Sequence, residues 1–195
     1  MRNIRIALGL ALGFLVGVIP VAAQSSGDTA KFEVSLDYAY VRARTVVVAG
    51  CCFNMNGGEI SLAYNANNWF SLVGDFGLYY AGNVQNSGLT LTVFPYTFGP
   101  RVSIRKNKTF TPYVEGLFGG GYAGGTIYTR AFAPTGGKSA FALSAGGGLD
   151  AKLSKHFALQ LVQCDYFFTN FPDGASNHEH NFRLTTGIIF RFGSH

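Results

Sequence analysis

Apolar and polar residues alternate along most of this chain. Between Lys31 and Tyr40 every second residue is aliphatic or aromatic, and the residues between them are charged, small or hydroxylated. The same alternation returns near the C-terminus, where Ile188, Phe190 and Phe192 share one face of an extended strand. A period of two places successive side chains on opposite faces, so these stretches are predicted to be β-strands with one apolar face.

Eight strands of this kind can be placed along the sequence. They run over residues 31–41, 59–65, 69–80, 94–104, 110–122, 140–153, 157–168 and 185–192. The fourth is weakened by Pro95 and Pro100, because proline cannot donate a hydrogen bond to a neighbouring strand. In the seventh, the alternation slips between Leu161 and Val162, which indicates a β-bulge. The chain is therefore predicted to be all-β.

The segments between the predicted strands alternate between long and short. The long ones are 42–58, 81–93, 123–139 and 169–180, and the short ones are 66–68, 105–109 and 154–156. Such alternation is typical of outer-membrane barrels, which have short periplasmic turns and long external loops. An even number of strands then places both ends of the chain in the periplasm.

The composition is that of a membrane protein without a membrane helix. Charged residues make up 13% of the chain and aromatic residues 15%, and this charged share is about half that of a soluble domain. After the N-terminal segment, no apolar run approaches the roughly 20 residues of a spanning helix. A barrel spreads its apolar residues over every second position. We therefore predict an eight-stranded antiparallel up-and-down transmembrane β-barrel.

Alternation alone does not say which face points inward. A soluble barrel of the lipocalin type would have the same period, with its apolar face inside. Here the polar face is mostly Ser, Thr, Ala and Gly, with one or two charges per strand, which is sparse for a surface in contact with water. Tyrosine and phenylalanine also lie near strand ends, as in the aromatic girdles of membrane barrels. We expect the apolar face to contact lipid.

The N-terminus predicts export. Arg2 and Arg5 precede an apolar run from Ile6 to Ile19, and Val21 and Ala23 have the small side chains expected just before a cleavage site. The predicted organisation is a cleaved signal peptide (1–23), a linker (24–30), the barrel (31–192) and a short tail (193–195). Without the two signal arginines, 13 of the 15 basic residues remain, against 10 acidic residues. The resulting net positive charge is too small to indicate nucleic-acid binding.

The chain resembles the outer-membrane β-barrel domain family of small eight-stranded barrels, of the OmpA and OmpX type. The resemblance is carried by the predicted signal peptide, the eight strands, the segments 112–116 and 119–122, and the closing segment 187–192. It implies a monomer in the outer membrane, inserted by the barrel assembly machinery. The assembly signal would comprise Thr185, Gly187, Phe190 and Phe192. No peptidoglycan-binding domain follows Phe192 in this sequence, so tethering to the cell wall is not expected.

Charged residues on the polar face are predicted to form a salt-bridge network in the lumen, because an unpaired charge in so narrow a space is costly. The predicted network residues are Glu33, Asp37, Asp75, Arg101, Glu115, Asp150, Asp165, Arg183 and Arg191, with Lys31 and Lys152 also on this face. Asp165 should lie near Arg183, and Arg191 near Glu33 where the last strand meets the first. We favour structural packing of the lumen over an ion path.

Basic residues gather near the predicted external rim. Arg42, Arg44, Arg130 and Lys138 could contact the phosphates of lipopolysaccharide, since arginine binds phosphate with two parallel hydrogen bonds. Ordinary loop charge is the alternative. The predicted role is structural, in envelope integrity or surface interaction. A narrow porin-like diffusion pore is the alternative, and a lipid-modifying enzyme is a third reading.

Other motifs carry little weight. Gly119, Gly121 and Gly124 match the spacing of a dinucleotide-binding loop, but a β-prone run follows where a helix is required, so no cofactor is expected. The set His178, Glu179 and His180 is a weak metal signal in a predicted loop. No catalytic residue is assigned, because His156 lies at a predicted periplasmic turn without the partners of a triad.

Cysteines give one further expectation. Cys51 and Cys52 are adjacent in the first predicted loop, and Cys164 lies in the seventh strand on the lipid-facing side. An odd number of cysteines leaves at least one thiol free in a monomer.

Overall fold

The computed structural model describes residues 29–44, 52–126, 137–171 and 178–193. The strands are β1 Phe32–Arg44, β2 Cys52–Asn65, β3 Phe70–Ala81, β4 Leu91–Ser103, β5 Phe110–Gly124, β6 Lys138–Lys152, β7 Phe157–Thr169 and β8 Glu179–Phe192. A single turn of 3-10 helix, Val84–Asn86, follows β3. None of the helical segments in these ranges has the length and apolar character needed to cross a membrane. The predicted signal peptide lies outside the described residues.

The eight strands form one closed antiparallel barrel in which each strand pairs with the next. β8 closes the barrel on β1, with Phe32 opposite Phe192 and Glu33 opposite Arg191. Closure leaves no strand edge with unpaired backbone groups, as a sheet within lipid requires. The predicted fold is therefore confirmed.

Several strands extend beyond their predicted bounds at one end of the barrel. β2 begins at Cys52 and β8 at Glu179, whereas the sequence pattern placed their starts at 59 and 185. The prediction of a long connection over 42–58 is accordingly wrong, since 52–58 pairs with β1. Polar residues such as Asn54 and Asn56 occupy outward positions there, which interrupts the apolar alternation while the backbone ladder continues.

Long and short connections still alternate. Segments 66–69, 104–109 and 153–156 join strands at one end, which we call the short-turn end. Segments 45–51, 82–90, 125–137 and 170–178 join strands at the other, the long-loop end. Both termini of the barrel lie at the short-turn end.

The predicted β-bulge is present in β7. Leu149 of β6 lies opposite Val162 and Asp150 lies opposite Gln160, so Leu161 is the extra residue of the bulge. The register with β8 shifts at the same place. β4 continues through Pro95 and Pro100, both of which have partners in the sheet.

The outer wall of the barrel is apolar. Val114 is 62% exposed, Phe118 60% and Tyr38 55%, and each alternates with buried neighbours on its strand. Within the described ranges, twenty-seven large apolar side chains are exposed, far more than the isolated ones that a soluble monomer carries. This surface suits contact with lipid and excludes the lipocalin-like arrangement, in which the apolar face is inside.

The interior consists of two layers. At the long-loop end, inward side chains form an apolar cluster: Ala39, Val41, Ala43, Phe53, Met55, Tyr79, Ala81, Val84, Leu91, Val93, Ala123 and Phe171. The middle of the barrel and the short-turn end contain polar and charged side chains. The expectation of a lumen filled by polar and charged residues is therefore correct for only part of its length. The residues of the apolar layer come largely from strand extensions that the sequence pattern did not predict.

Candidate functional site

Arg183 lies at the centre of the lumen and joins four strands. Its side chain, on β8, is 1% exposed. Nη1 donates to Glu59 Oε2 at 2.8 Å and to Asp75 Oδ2 at 2.9 Å, and Nη2 donates to Asp165 Oδ2 at 2.7 Å. These carboxylates come from β2, β3 and β7. One guanidinium therefore crosses the barrel interior and ties opposite walls together.

Neutral donors and acceptors complete the bonding around Arg183. The Tyr79 hydroxyl donates to Glu59, and Ser61 Oγ donates to Asp75 Oδ1 at 2.5 Å. Arg183 Nη2 also donates to Ser144 Oγ at 3.1 Å. A buried ion pair is tolerated only when such hydrogen bonds offset the loss of water. Two of the three carboxylates, Glu59 and Asp75, are held by these additional bonds.

A second ion pair lies beside the first cluster. Arg101 Nε donates to Glu115 Oε2 at 2.7 Å, and the Arg101 guanidinium lies 4.2 Å from the centre of the Tyr113 ring. Gln163 Nε2 donates to both Glu115 Oε1 and Asp165 Oδ2 at 2.8 Å, while the Tyr113 hydroxyl donates to Gln163 Oε1 at 2.6 Å. Gln163 thus links the two clusters into one network.

A third group of charges lies near the short-turn end. Arg191 Nε donates to Glu33 Oε1 at 3.1 Å, and Arg105 Nη2 lies 3.6 Å from Glu33 Oε2. Arg105 belongs to the turn 104–109 and also donates to Asn65 Oδ1 at 3.0 Å. Partial burial lowers the pKa of Arg105, and the Glu33 carboxylate opposes that shift. Arg105 closes the short-turn end as a cation, because an arginine pKa lies far above neutrality.

Both ion pairs expected from the sequence are present, Asp165 with Arg183 and Arg191 with Glu33. Asp37 accepts a hydrogen bond from Ser35 Oγ at 2.5 Å. Its other oxygen, Oδ1, has no hydrogen-bond partner in the described residues, and the same holds for Asp150 Oδ1. Not every predicted network residue is therefore fully paired.

Several members of the network were missed in the sequence. They are Glu59, Tyr79, Arg105, Tyr113 and Gln163. Glu59 and Gln163 could have been found, because each has the inward parity of its strand. Tyr79 and Tyr113 resemble lipid-facing aromatics by residue type, and Arg105 lies outside any strand.

The network and the apolar layer together fill the barrel interior. Phe167 is 1% exposed, its ring packs edge to face against Tyr79 at 6.4 Å, and it lies 5.7 Å from the Arg183 guanidinium. Val41, opposite Arg183 in the sheet, is fully buried, and Met55, opposite Val41 on β2, is nearly so. The interior of an eight-stranded barrel is just wide enough to be filled by side chains. In this barrel the interior is filled by the network and the apolar layer.

The four basic residues predicted at the rim do not form one group. Arg42 and Arg44 are exposed at outward positions of β1. Lys138 lies on β6 opposite the buried residue Ala123, which is an inward position. Arg130 lies outside the described residues. The structure therefore brings together Arg42 and Arg44 and separates Lys138 from them.

Polar side chains surround Arg42 on the outer wall. Arg42 Nη1 donates to Asn54 Oδ1 at 2.6 Å, and the Tyr40 hydroxyl donates to the same oxygen at 2.9 Å. The Tyr38 hydroxyl donates to Asn56 Oδ1 at 2.6 Å. These residues form a hydrogen-bonded polar strip on the outside of β1 and β2 at the long-loop end.

An apolar groove begins directly below this strip, on the side of the short-turn end. Its volume is about 640 Å³, and its walls include Leu36, Tyr38, Ile60, Leu78 and Phe94, with Gly58 at its floor. Gly58 lies opposite Tyr38 on β1 and opposite Leu78 on β3. The missing side chain at Gly58 therefore creates the depression.

The histidine set near the C-terminus is divided between the two faces of β8. The rings of His178 and His180 pack against Phe168, each at 5.7 Å, and His180 shares a hydrogen bond with the Tyr166 hydroxyl. Glu179 instead accepts a hydrogen bond from Thr169 Oγ1 at 2.6 Å. Within the described ranges, no group of three or more His, Cys, Asp and Glu residues could hold a metal ion.

The residues predicted as an assembly signal also have structural contacts. Thr185 is buried and accepts a hydrogen bond from Gln160 Nε2 at 2.8 Å. Phe192 is 52% exposed on the outer wall, and Phe190 packs on Phe157 at 5.5 Å. A Cβ atom at Gly187 would lie 2.1 Å from Asp37 Oδ1. The glycine is therefore required by packing, whatever its role in assembly.

Of the three cysteines, Cys164 is a free thiol exposed on the outer wall, at the position expected from the sequence. Cys52 is disulfide-bonded, and Cys51 lies outside the described residues.

Comparisons with known proteins agree with this architecture. The model of a family described as "Outer membrane protein beta-barrel domain" matches residues 11–190. Neisserial surface protein A aligns with a TM-score of 0.68 at 14% identity, covering 86% of this chain and 100% of that one. Ail of Yersinia pestis gives 0.53 at 21% identity (83% and 99% covered), and OprG of Pseudomonas aeruginosa gives 0.54 at 10% (86% and 98%). At these identities the likeness shows the fold alone. A search of curated proteins found no match.

Proposed function

The chain belongs to the outer membrane protein beta-barrel domain family, and from this premise we propose that it is a closed, non-conducting barrel with a structural or surface-interaction role. Its place is the bacterial outer membrane, as the family and the apolar outer wall require. In this role the barrel contributes to envelope integrity or presents its long loops to partners outside the cell. We propose no catalytic activity for it.

The filled lumen is the observation that carries this proposal. Arg183 bridges carboxylates of three other strands in the middle of the barrel. On the long-loop side of this ion-pair network, Phe53, Met55 and Phe171 are buried in the apolar layer. A hydrated ion would have to displace both layers, and the second consists mainly of apolar side chains. A diffusion pore is therefore the weaker candidate.

An orientation is part of the proposal. The long-loop end faces the outside and the short-turn end faces the periplasm, as in barrels of this class. We also propose that the chain is exported by a cleaved signal peptide. The barrel assembly machinery then inserts it as a monomer. Cysteines placed at Ser87 and Asn107, at opposite ends, test this orientation in a background lacking the native cysteines. An impermeant thiol reagent applied to intact cells should label the first and leave the second unlabelled.

An enzymatic role would need a catalytic group within reach of lipid. His156 lies at the short-turn end, where its backbone N–H donates to Ser154 Oγ at 3.3 Å. Among the described residues, His156 shares no hydrogen bond or ion pair with a carboxylate. Mass spectrometry of lipid A from cells with and without the protein should therefore give identical spectra.

Conductance tests the closed lumen. The purified protein, checked for folding by its altered migration on an unboiled detergent gel, is inserted into planar bilayers. We expect no steady large conductance from the wild type. A steady conductance in every insertion event would overturn the proposal in favour of a pore.

A further inference from the structure

We propose that the outer wall of β1, β2 and β3 at the long-loop end binds lipid A, the phosphorylated and acylated anchor of lipopolysaccharide. Its phosphates lie on Arg42 and Arg44, and one acyl chain lies in the groove at Gly58. This inference rests on the proposed orientation, which brings the long-loop end into the outer leaflet, and it names the lipid that this surface selects.

Charged side chains at outward positions of the described strands are confined to this place. Along the described strands, Arg42 and Arg44 are the arginine or lysine residues at outward positions, and no aspartate or glutamate occupies an outward position on these strands. The two arginines are two residues apart on one face of β1, about 7 Å along the strand. That spacing lets both guanidinium groups contact one phosphate or two neighbouring phosphates.

The arginines are available to an anion. Neither has an ion-pair partner within the described part of the chain, and both are exposed. The Arg42 guanidinium is held by Asn54 Oδ1 at 2.6 Å, and Asn54 is in turn bonded to Tyr40. Because the amide oxygens of Asn54 and Asn56 accept these bonds, their nitrogens remain as donors for a phosphorylated sugar. The strip is therefore preorganised for a polar, anionic headgroup.

The groove lies where an acyl chain would begin. Gly58 is opposite Tyr38, which is four residues from Arg42 along β1, or about 13 Å at the rise of a strand. The groove runs between the walls formed by Leu36, Leu78 and Phe94. A lipid with phosphate on Arg42 thus has its hydrocarbon at the depth of Gly58.

Headgroup contacts must supply most of the selectivity. Lipid tails are as apolar as the groove, so placing one chain there gains packing but no transfer from water. Arginines near an anionic lipid surface contribute about 1 kcal/mol each. Two of them correspond to a preference of about 10- to 30-fold over a zwitterionic lipid. The groove adds selectivity for the shape of the lipid. A phospholipid with one phosphate and two acyl chains fits the arginines and the groove less well than lipid A does.

Native mass spectrometry of the folded full-length mature protein in detergent, titrated with lipid A, phosphatidylglycerol or phosphatidylethanolamine, tests the inference. Arg42→Gln with Arg44→Gln should weaken lipid A binding about 10- to 30-fold. Lys106→Gln with Lys108→Gln removes the same charge from the exposed turn at the short-turn end and should leave binding unchanged.

The groove is tested separately. A Cβ at Gly58 meets only Asp37 O, at 3.8 Å, so Gly58→Leu should fill the groove without disturbing the fold. It should weaken binding of lipid A severalfold. Gly116→Leu is the matched control, since Gly116 is also outward and a Cβ there meets nothing within 4 Å.

Three results would overturn the inference: an arginine double variant that binds lipid A within twofold of the wild type, controls that lose as much as the test variants, or equal affinity for phosphatidylglycerol. The closed barrel and its orientation are measured independently by conductance and by labelling at Ser87 and Asn107. Failure of lipid A binding is therefore distinguishable from failure of the proposed function.

Discussion

The hydroxyl of Tyr79 donates a hydrogen bond to Glu59 at the boundary between the polar and apolar layers of the lumen. The Tyr79 ring belongs to the apolar layer, while its hydroxyl also accepts from Arg183 Nη1 at 3.1 Å. A tyrosine suits this position because it has an apolar body and a polar tip. Tyr79 therefore packs in the apolar layer and supplies a hydrogen-bond donor to the Glu59 carboxylate of the polar layer.

Tyr79→Phe should therefore destabilise the barrel. The change leaves Glu59 and Arg183 each without one partner in a buried site, at a cost of about 1–3 kcal/mol. Urea unfolding in lipid vesicles, followed by tryptophan fluorescence, measures this. Tyr80→Phe removes a hydroxyl from an exposed outward position on the same strand and should change the free energy of unfolding by less than about 0.5 kcal/mol. Equal effects would contradict the account.

Arg183→Met should be more severe. Three buried carboxylates, Glu59, Asp75 and Asp165, would lose their shared cation, and breaking a buried ion pair costs about 3–5 kcal/mol. Arg183→Lys keeps the charge with fewer donors and should fall between the wild type and the methionine variant. Refolding yield and urea midpoints report the order. A methionine variant as stable as the wild type would show that the network contributes nothing to stability.

Gly187→Ala should impair folding even without assembly machinery. A Cβ at this position would lie 2.1 Å from Asp37 Oδ1 and 2.2 Å from Leu36 O, and the second of these is backbone that cannot move aside. Spontaneous refolding into detergent, read by the gel shift of unboiled protein, should be reduced. Gly116→Ala, in open space, should refold normally. Normal refolding of Gly187→Ala, combined with poor assembly in cells, would instead assign the glycine to recognition by the machinery.

Cys164 should react according to its surroundings. The free thiol is exposed on the outer wall in β7, so hydrocarbon should shield it in a bilayer. In a background with Cys51 and Cys52 replaced by serine, a charged maleimide should label the protein slowly in vesicles, and an apolar maleimide should label it readily. Asn107→Cys, added in the exposed turn, should label with both reagents. Rapid labelling of Cys164 by the charged reagent would show that water reaches this wall.

Prediction from the sequence succeeded where the physical signal was local. The alternation around Phe32 and Phe192 follows from a strand with one face in lipid, and the bulge at Leu161 follows from a single slip in that alternation. It failed over 52–58, where the backbone pairs with β1. Outward asparagines replace apolar residues there, so the sequence no longer shows the alternation that predicts a strand. Lys138 was expected in a loop beside the other basic residues of the rim, but it begins β6 at an inward position, because the strand extends beyond the apolar alternation.

Periodicity and composition by themselves determined the fold class, the number of strands and the lipid-facing side, because each follows from neighbours along the chain. Only the tertiary structure decided that Arg183 is also bonded to Glu59, 124 positions away, that the Tyr79 hydroxyl donates to the same carboxylate, and that an apolar layer occupies the long-loop half of the lumen. These features depend on which strands face each other across the barrel. That relationship is set by closure and register, and no local pattern contains it.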